Sequence, residues 1–391
     1  MIFDLAFIWA GLISFAVLAY PILDGFDLGV GILFPFMRTE ADKDLAMNTV
    51  APVWDGNETW LVLGGGGLFA VFPLAYAVVM PALYVPIIVM LLALVFRGVA
   101  FEFRWRTQKG KFLWDANETW LVLAVGLLLV AFPVAHGAIL TALYLPVAIM
   151  LVGMILRGVA FEFRAKAPAP HKHLWNNAFF AGSLMTSLSQ GFMLGMYIMG
   201  LQWTWANAAF SMLTAVFLTV GYSFIGATWV IHKTDEHLQR KAVDWAKGGI
   251  WGLVLGIGMI SAATPLVSAR IFDKWFSWPE AIFLAPLPII SGFLVFWLWW
   301  MLRRMPFMAD RWSWLPFAAA TSLWVAAFIG MAYSFYPYVV PEQLTIYESA
   351  SAPESLFIIL IGTLFVLPTI MGYTILAYTV FRGKATELRY D

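Results

Sequence analysis

Cysteine is absent from all 391 residues, which excludes disulfides, iron–sulfur clusters, thiolate metal sites and thioether-linked haem. Charge is scarce as well. Charged residues make up 12% of the chain, against roughly 25% in soluble domains. The 23 Lys and Arg balance the 23 Asp and Glu, so nucleic acid is not an expected partner. Basic residues are missing from the start, where the first is Arg38. The opening segment therefore lacks the positive region of a secretory leader and reads as a retained span. What fills the chain is apolar: 62% hydrophobic residues and a mean hydropathy of +0.82. Soluble folds run at roughly 45–50% apolar. Lipid bilayer has to be the solvent.

The apolar runs divide into eleven spans, each near the ~20 residues that a bilayer core requires. They fall at 6–28, 60–78, 80–100, 120–138, 140–160, 177–200, 206–231, 248–268, 281–302, 314–337 and 356–380. No polar stretch is long enough for a soluble domain. The expected architecture is all-α, a polytopic transmembrane helix bundle forming one integral membrane domain over 1–391. Alternate loops collect nearly all Lys and Arg, and only Arg270 and Lys274 fall on the other side. That asymmetry predicts an outside N-terminus, a cytoplasmic C-terminus and an outward-facing 339–355 loop carrying Glu342, Glu348 and Glu354.

One segment occurs twice. Residues 54–104 and 114–164 align without gaps and share 28 identities in 51 positions. "NETWLVL" opens both copies and "RGVAFEFR" closes both. The repeated unit is a two-span hairpin, so the duplication leaves the downstream topology unchanged.

Acidic pairs mark the basic ends of the first spans. Asp55 and Glu58 lie at i and i+3 in "WDGNETW", and Asp115 and Glu118 repeat them in "WDANETW". This spacing places both acids of a pair on one helix face. It suits a capping box at a helix start, and also a proton relay, because acids at membrane depth are functional by default. Asp24 and Asp27 in "LDGFDLGVG" have the same spacing near the inner end of the first span, and are costly to expose to lipid. Between and after them, Gly25 and Gly29 have GxxxG spacing, which permits close helix packing. Because the second span starts where the first ends, Asp24, Asp27, Asp55 and Glu58 are expected to form one acidic cluster.

Other motifs carry less. "GGGG" at 64–67 lacks the Lys-Ser/Thr of a phosphate loop. The "NET" sequons lie on the predicted cytoplasmic side, where they are not glycosylated. Arg97 and Arg157 suit snorkelling or an ion pair with a buried acid. Of five histidines only His136 approaches a span, and Tyr76 replaces it in the first copy. "FWLWW" at 296–300 forms an aromatic face suited to a flat ring.

"LDGFDLGVG", "NTVAPVWDGNETWLVLGGGGLFAVFP", "FRGVAFEFR", "LWNNAFFAGSL" and "SQGFMLG" together resemble subunit II of the cytochrome bd-type quinol oxidases, most closely the cyanide-insensitive branch. The resemblance implies a haem-free second subunit in a bacterial inner-membrane complex that oxidises quinol and reduces dioxygen to water. It places b-type and d-type haems in subunit I, with quinol as substrate, a bound quinone and small single-span subunits as further candidate components. It also implies a cytoplasmic proton route through Asp55, with the "DGFD" acids Asp24 and Asp27. The family has nine spans, so the duplicated hairpin departs from it, and either copy suits the family position. A proton-coupled secondary transporter is the rival reading, although such proteins more often repeat half of the chain, frequently inverted.

Overall fold

The computed structural model describes residues 4–53, 71–77, 149, 156, 160, 164, 171–267, 269–305, 310–341 and 343–385. The first helix, α1, runs Leu5–Leu33, with Asp4 accepting at its N-cap from the Phe7 amide. A 3-10 turn at Phe34–Phe36 leads to α2, Glu40–Val50, capped by Thr39. After the repeat region come α3, Lys172–Ile198, then α4, Trp205–Lys233, and α5, Glu236–Val267. Two short helices, α6 at Ala269–Phe276 and α7 at Glu280–Leu284, precede α8, Pro286–Leu302, and α9, Leu315–Phe335. A two-residue-deep hairpin pairs β1, Tyr338–Val340, with β2, Leu344–Thr345, antiparallel. The turn α10, Ile346–Ser349, and the long α11, Pro353–Val380, complete the chain.

Five stretches among the described residues are long and apolar enough to cross a membrane: Leu5–Phe36, Trp205–Lys233, Glu236–Pro265, Leu315–Phe335 and Leu356–Val380. The helix α3 is also long enough, since 27 residues rise about 40 Å. Its lower hydropathy comes from three amides, Asn176, Asn177 and Gln190, and from the hydroxyls of Ser183, Thr186, Ser187 and Ser189. The expected spans at 60–78, 80–100, 120–138 and 140–160 lie almost entirely outside the described residues.

α1, α3 and α4 form the centre of the bundle, and glycines decide how closely they meet. A Cβ on Gly29 would fall 1.8 Å from the Tyr222 carbonyl oxygen, and one on Gly226 would fall 2.5 Å from the Gly29 carbonyl carbon. Backbone cannot yield as a flexible side chain can, so the close crossing of α1 and α4 requires glycine at both positions. The GxxxG spacing therefore serves packing. Farther along, Gly191 and Gly195 bring α3 against α4 at Ala215 and Ser211.

Two cores sit at opposite ends. At the basic end, Phe26 stacks on Trp229 at 4.2 Å, Phe317 packs edge-on to both rings, and Val30, Val53, Ala160 and Leu323 fill in around them. At the other end, Trp9, Val71, Phe72, Val340, Ile346 and Leu356 form a second cluster. Trp9 Nε1 donates to the Leu356 carbonyl there at 3.1 Å.

Three expectations about the loops need correction. α5 begins at Glu236, well before the expected span start at 248, because about three charged helical turns continue the helix outside the apolar core. The apolar run at 281–302 is broken, with Pro286 opening a new helix after Leu284. The 339–355 loop is partly built into the fold: Val340 and Ile346 are buried, and Thr345 and Glu348 form a reciprocal capping box. Of its acids, Glu348 and Glu354 are exposed, and Glu342 lies outside the described residues.

Candidate functional site

α1 positions two acids without solvent access. Asp24 and Asp27 are 1% and 0% exposed. Tyr20, Asp24, Asp27 and Gly31 recur at helical spacing and share one stripe of α1. Two contacts pin this stripe against α3. Gln190 Nε2 donates to the Tyr20 phenol oxygen at 2.8 Å, and a Cβ on Gly31 would fall 2.0 Å from Ser183 Oγ. The carboxyls lie between these contacts, on an element that crosses the apolar slab. This can hold and pass protons in a way that an exposed pair cannot.

Asp55, Glu58, Asp115 and Glu118 lie outside the described residues, as do Arg97, Arg157, His136 and the "GGGG" run. The residues flanking Asp55 and Glu58 are described. Val53 packs in the basic-end core with Phe26 and Val30, whereas Val71, Phe72 and Ala75 pack with Trp9 and Ile13 at the other end of α1. The second copy meets the basic-end core at its last residues instead, through Ala160 and Arg164.

Arg164 was unremarkable in the sequence, one basic residue among many, yet it is 2% exposed. It pairs with Glu40 at 2.9 Å and with Asp44, both on α2, and its Nε donates to Asn176 Oδ1 on α3. Asn176 Nδ2 in turn donates to Glu40 at 2.9 Å, and the Phe34 ring lies under the guanidinium at 5.6 Å. One arginine thus ties the end of the second hairpin to α2 and α3. The only sequence signals were its place closing "RGVAFEFR" and the polar "NN" inside "LWNNAFFAGSL".

Two acids of α2, Glu40 and Asp42, are held towards the ionised form. Burial works against the charged form of Glu40, but hydrogen bonds from Lys43 and Asn176 and the charges of Lys43 and Arg164 outweigh it, lowering its pKa. For Asp42 burial is again opposed and outweighed, here by Lys241, Thr39 and His237, with Lys241 Nζ donating at 2.8 Å. At the far end of α2 a cavity of about 210 Å³ is lined by Thr49, Val53, Trp229, Lys233, Tyr378 and Lys384. It has room for several waters.

Among the described residues no group of three or more His, Asp or Glu is placed to hold a metal. His232 stands edge-on to Trp229, and His237 contacts Asp42 at 3.4 Å. The aromatic run at 296–300 is partly covered by cations, with Arg303 4.0 Å over Trp299 and Arg304 3.8 Å over Trp300.

Comparison with known proteins gives the chain its family. The profile of cytochrome bd terminal oxidase subunit II matches residues 5–113 and again 110–381, so each copy of the repeat falls within a match. Cytochrome bd-I ubiquinol oxidase subunit 2 of Escherichia coli (strain K12) is 24% identical over 411 residues, covering 98% of this chain and 96% of that one. Cytochrome bd ubiquinol oxidase subunit 2 of Bacillus subtilis (strain 168) is 27% identical over 392 residues, covering 97% and 96%. A chain of the bd oxidase from Geobacillus thermodenitrificans has the same fold, with a TM-score of 0.65 at 15% identity over 96% of this chain and 98% of that chain. On these matches and on the buried acidic stripe of its first helix, the chain belongs to the family of cytochrome bd terminal oxidase subunit II.

Proposed function

We propose that this chain is the haem-free second subunit of an inner-membrane quinol oxidase and supplies protons from the cytoplasm for the reduction of dioxygen to water. The observation that carries this reading is the pair Asp24 and Asp27, wholly buried on a membrane-crossing helix. Asp55 and Glu58 extend the route towards the cytoplasm. The chain touches the basic end of α1 at Val53 and its opposite end at Val71–Ala75, which supports the first hairpin copy as the neighbour of Asp24 and Asp27. The cavity beside Val53, with room for several waters, suits a proton-collecting mouth. On this reading the chain has eleven spans, an outside N-terminus and a cytoplasmic C-terminus.

The haems belong to a partner, subunit I, which oxidises quinol and reduces dioxygen. When bound there they supply the redox chemistry; the residues of this chain hold and move protons. Single-span subunits and a bound quinone are further components suggested by the family. A pyridine haemochrome assay tests the division of labour. The chain purified alone is expected to contain no stoichiometric haem, and the co-purified complex to contain it. One haem per isolated chain would overturn the reading, and His136 would be the first ligand to test.

A further inference from the structure

The two copies of the repeat compete for the same contacts. At the offset of 60, Phe72 and Ala75 of the first copy correspond to Phe132 and Ala135 of the second, and Ala100 and Arg104 correspond to Ala160 and Arg164. All four pairs are identities. A surface that accepts one member therefore has no side-chain reason to refuse the other. The family profile is matched once through each copy, so one family unit needs a single hairpin.

Two surfaces receive residues of the repeat, and they lie at opposite ends of α1. The outer one is made by Trp9, Ile13, Val340, Ile346 and Leu356. Val71, Phe72 and Ala75 occupy it at 0%, 1% and 0% exposure, and the Ser351 amide donates to the Val71 carbonyl at 2.7 Å. The inner one is made by Phe34, Glu40, Asp44 and Asn176, with Ala160 in its apolar part and Arg164 in its acidic part. From Trp9 to Phe34 the chain rises about 38 Å as helix, more than the ~30 Å of a bilayer core. First-copy residues hold the outer surface, and second-copy residues hold the inner one.

The inner surface admits one occupant. The Arg164 guanidinium already meets Glu40, Asp44 and Asn176 and is buried, which leaves no place there for Arg104. A single intact copy would have supplied both contacts, as 71 with 104 or as 131 with 164. The structure pairs 71 with 164.

Chain connectivity accounts for that division. α2 ends at Val50, just before the first copy opens at 54, and the second copy closes at 164, just before α3 begins at Lys172. Where two segments of near-identical sequence compete for one surface, side-chain contacts do not choose between them. The segment on the shorter tether wins, because the entropy lost on closing a loop grows with its length. The span with the short tether to α2 is the first of copy one, and the span with the short tether to α3 is the second of copy two.

We propose that the hairpin position of this family is filled here by one span from each copy: the first span of the first copy, seated at Val71–Ala75, and the second span of the second copy, seated at Ala160 and Arg164. The insert is then not a whole copy. It is the intervening sequence, about 80–139, which begins and ends at the outer turn of a hairpin and equals one repeat length. Asp55 and Glu58 belong to a seated span, whereas Arg104, Asp115 and Glu118 belong to the inserted length. This assignment concerns seating alone and stands independently of proton delivery.

The chain has no cysteine, so engineered thiols meet no background from it. The test uses the purified complex, a short bifunctional thiol reagent and mass spectrometry of linked peptides. Val71→Cys with Ser351→Cys is expected to link in high yield, as is Asp44→Cys with Arg164→Cys. The matching pairs from the other copy, Ala131→Cys with Ser351→Cys and Asp44→Cys with Arg104→Cys, are expected to link several-fold less. Linkage of 131–351 together with 44–164 would seat the second copy whole, and linkage of 71–351 together with 44–104 would seat the first copy whole. Either result, or equal linkage by both copies, overturns the proposal. If a thiol pair prevents assembly, charge reversal decides the inner surface. Arg164→Glu sets a third acid against Glu40 and Asp44 and is expected to lower the thermal midpoint or to abolish assembly, with Arg104→Glu unfolding as the wild type does. Equal effects, or a larger effect of Arg104→Glu, would overturn the assignment.

Discussion

Asp55→Asn is expected to lower quinol-driven oxygen consumption by on the order of 100-fold, the scale on which a positioned proton-transfer group acts, with haem content unchanged. Asp115→Asn is expected to cost far less. The two residues open motifs that differ at one position, Gly56 against Ala116, so the motifs themselves do not separate them. What separates them is the company each keeps. The chain leading into Asp55 is anchored at Val53 in the core that contains Phe26 and Val30, on the helix of Asp24 and Asp27. Neighbouring negative charges favour a protonated carboxyl, which a relay group needs near working pH. Asp115 instead follows Arg104, Arg106, Lys109 and Lys111, whose charges favour the ionised form. Asn keeps size and hydrogen-bonding capacity but cannot titrate. Oxygen-electrode rates on the two purified variants decide the matter; equal losses, or a larger loss in Asp115→Asn, would mean that the second hairpin takes the family position.

The second large effect concerns stability. The double substitution Glu40→Gln with Asp44→Asn is expected to destabilise the complex by about 3–5 kcal/mol, because it leaves the buried Arg164 cation without compensating charge. Arg164→Met is expected to cost much less. The asymmetry follows from burial: the arginine side chain is 2% exposed, whereas those of Glu40 and Asp44 are 45% and 46% exposed and can return to water. Thermal unfolding followed by tryptophan fluorescence gives the order of the variants. Greater loss in Arg164→Met than in the double variant would show that packing of the arginine stem, and not its charge, holds the hairpin. Acid provides a second arm. The pKa values of Glu40 and Asp42 are lowered in the fold, so their stabilising contribution is complete above the ordinary carboxylate values of 4.5 and 3.8 and is lost as pH falls through the folded ones.

The membrane-spanning class and the family were legible in the sequence. Apolar composition alone required a bilayer, since no arrangement of 391 residues with 62% hydrophobic content can hide that surface in water. The duplicated hairpin, the i, i+3 acidic pairs and the family motifs are local or linear features, readable because they do not depend on what lies across the bundle. The glycines at 25 and 29 announced a close crossing by their spacing, although not that Tyr222 and Gly226 would be the surfaces met. Tertiary structure decided the rest. Glu40 and Arg164 are separated by 124 positions, and Tyr20 and Gln190 by 170, so no periodicity could pair them. Ser183 and Gln190 of α3 meet α1 at Gly31 and Tyr20, a pairing set by the helix crossing alone. Sequence determined the solvent, the repeat and the carboxylates, because composition and helical spacing are local quantities. Which groups those carboxylates face was decided by helix crossing, where a missing Cβ and a single buried arginine select one packing from many.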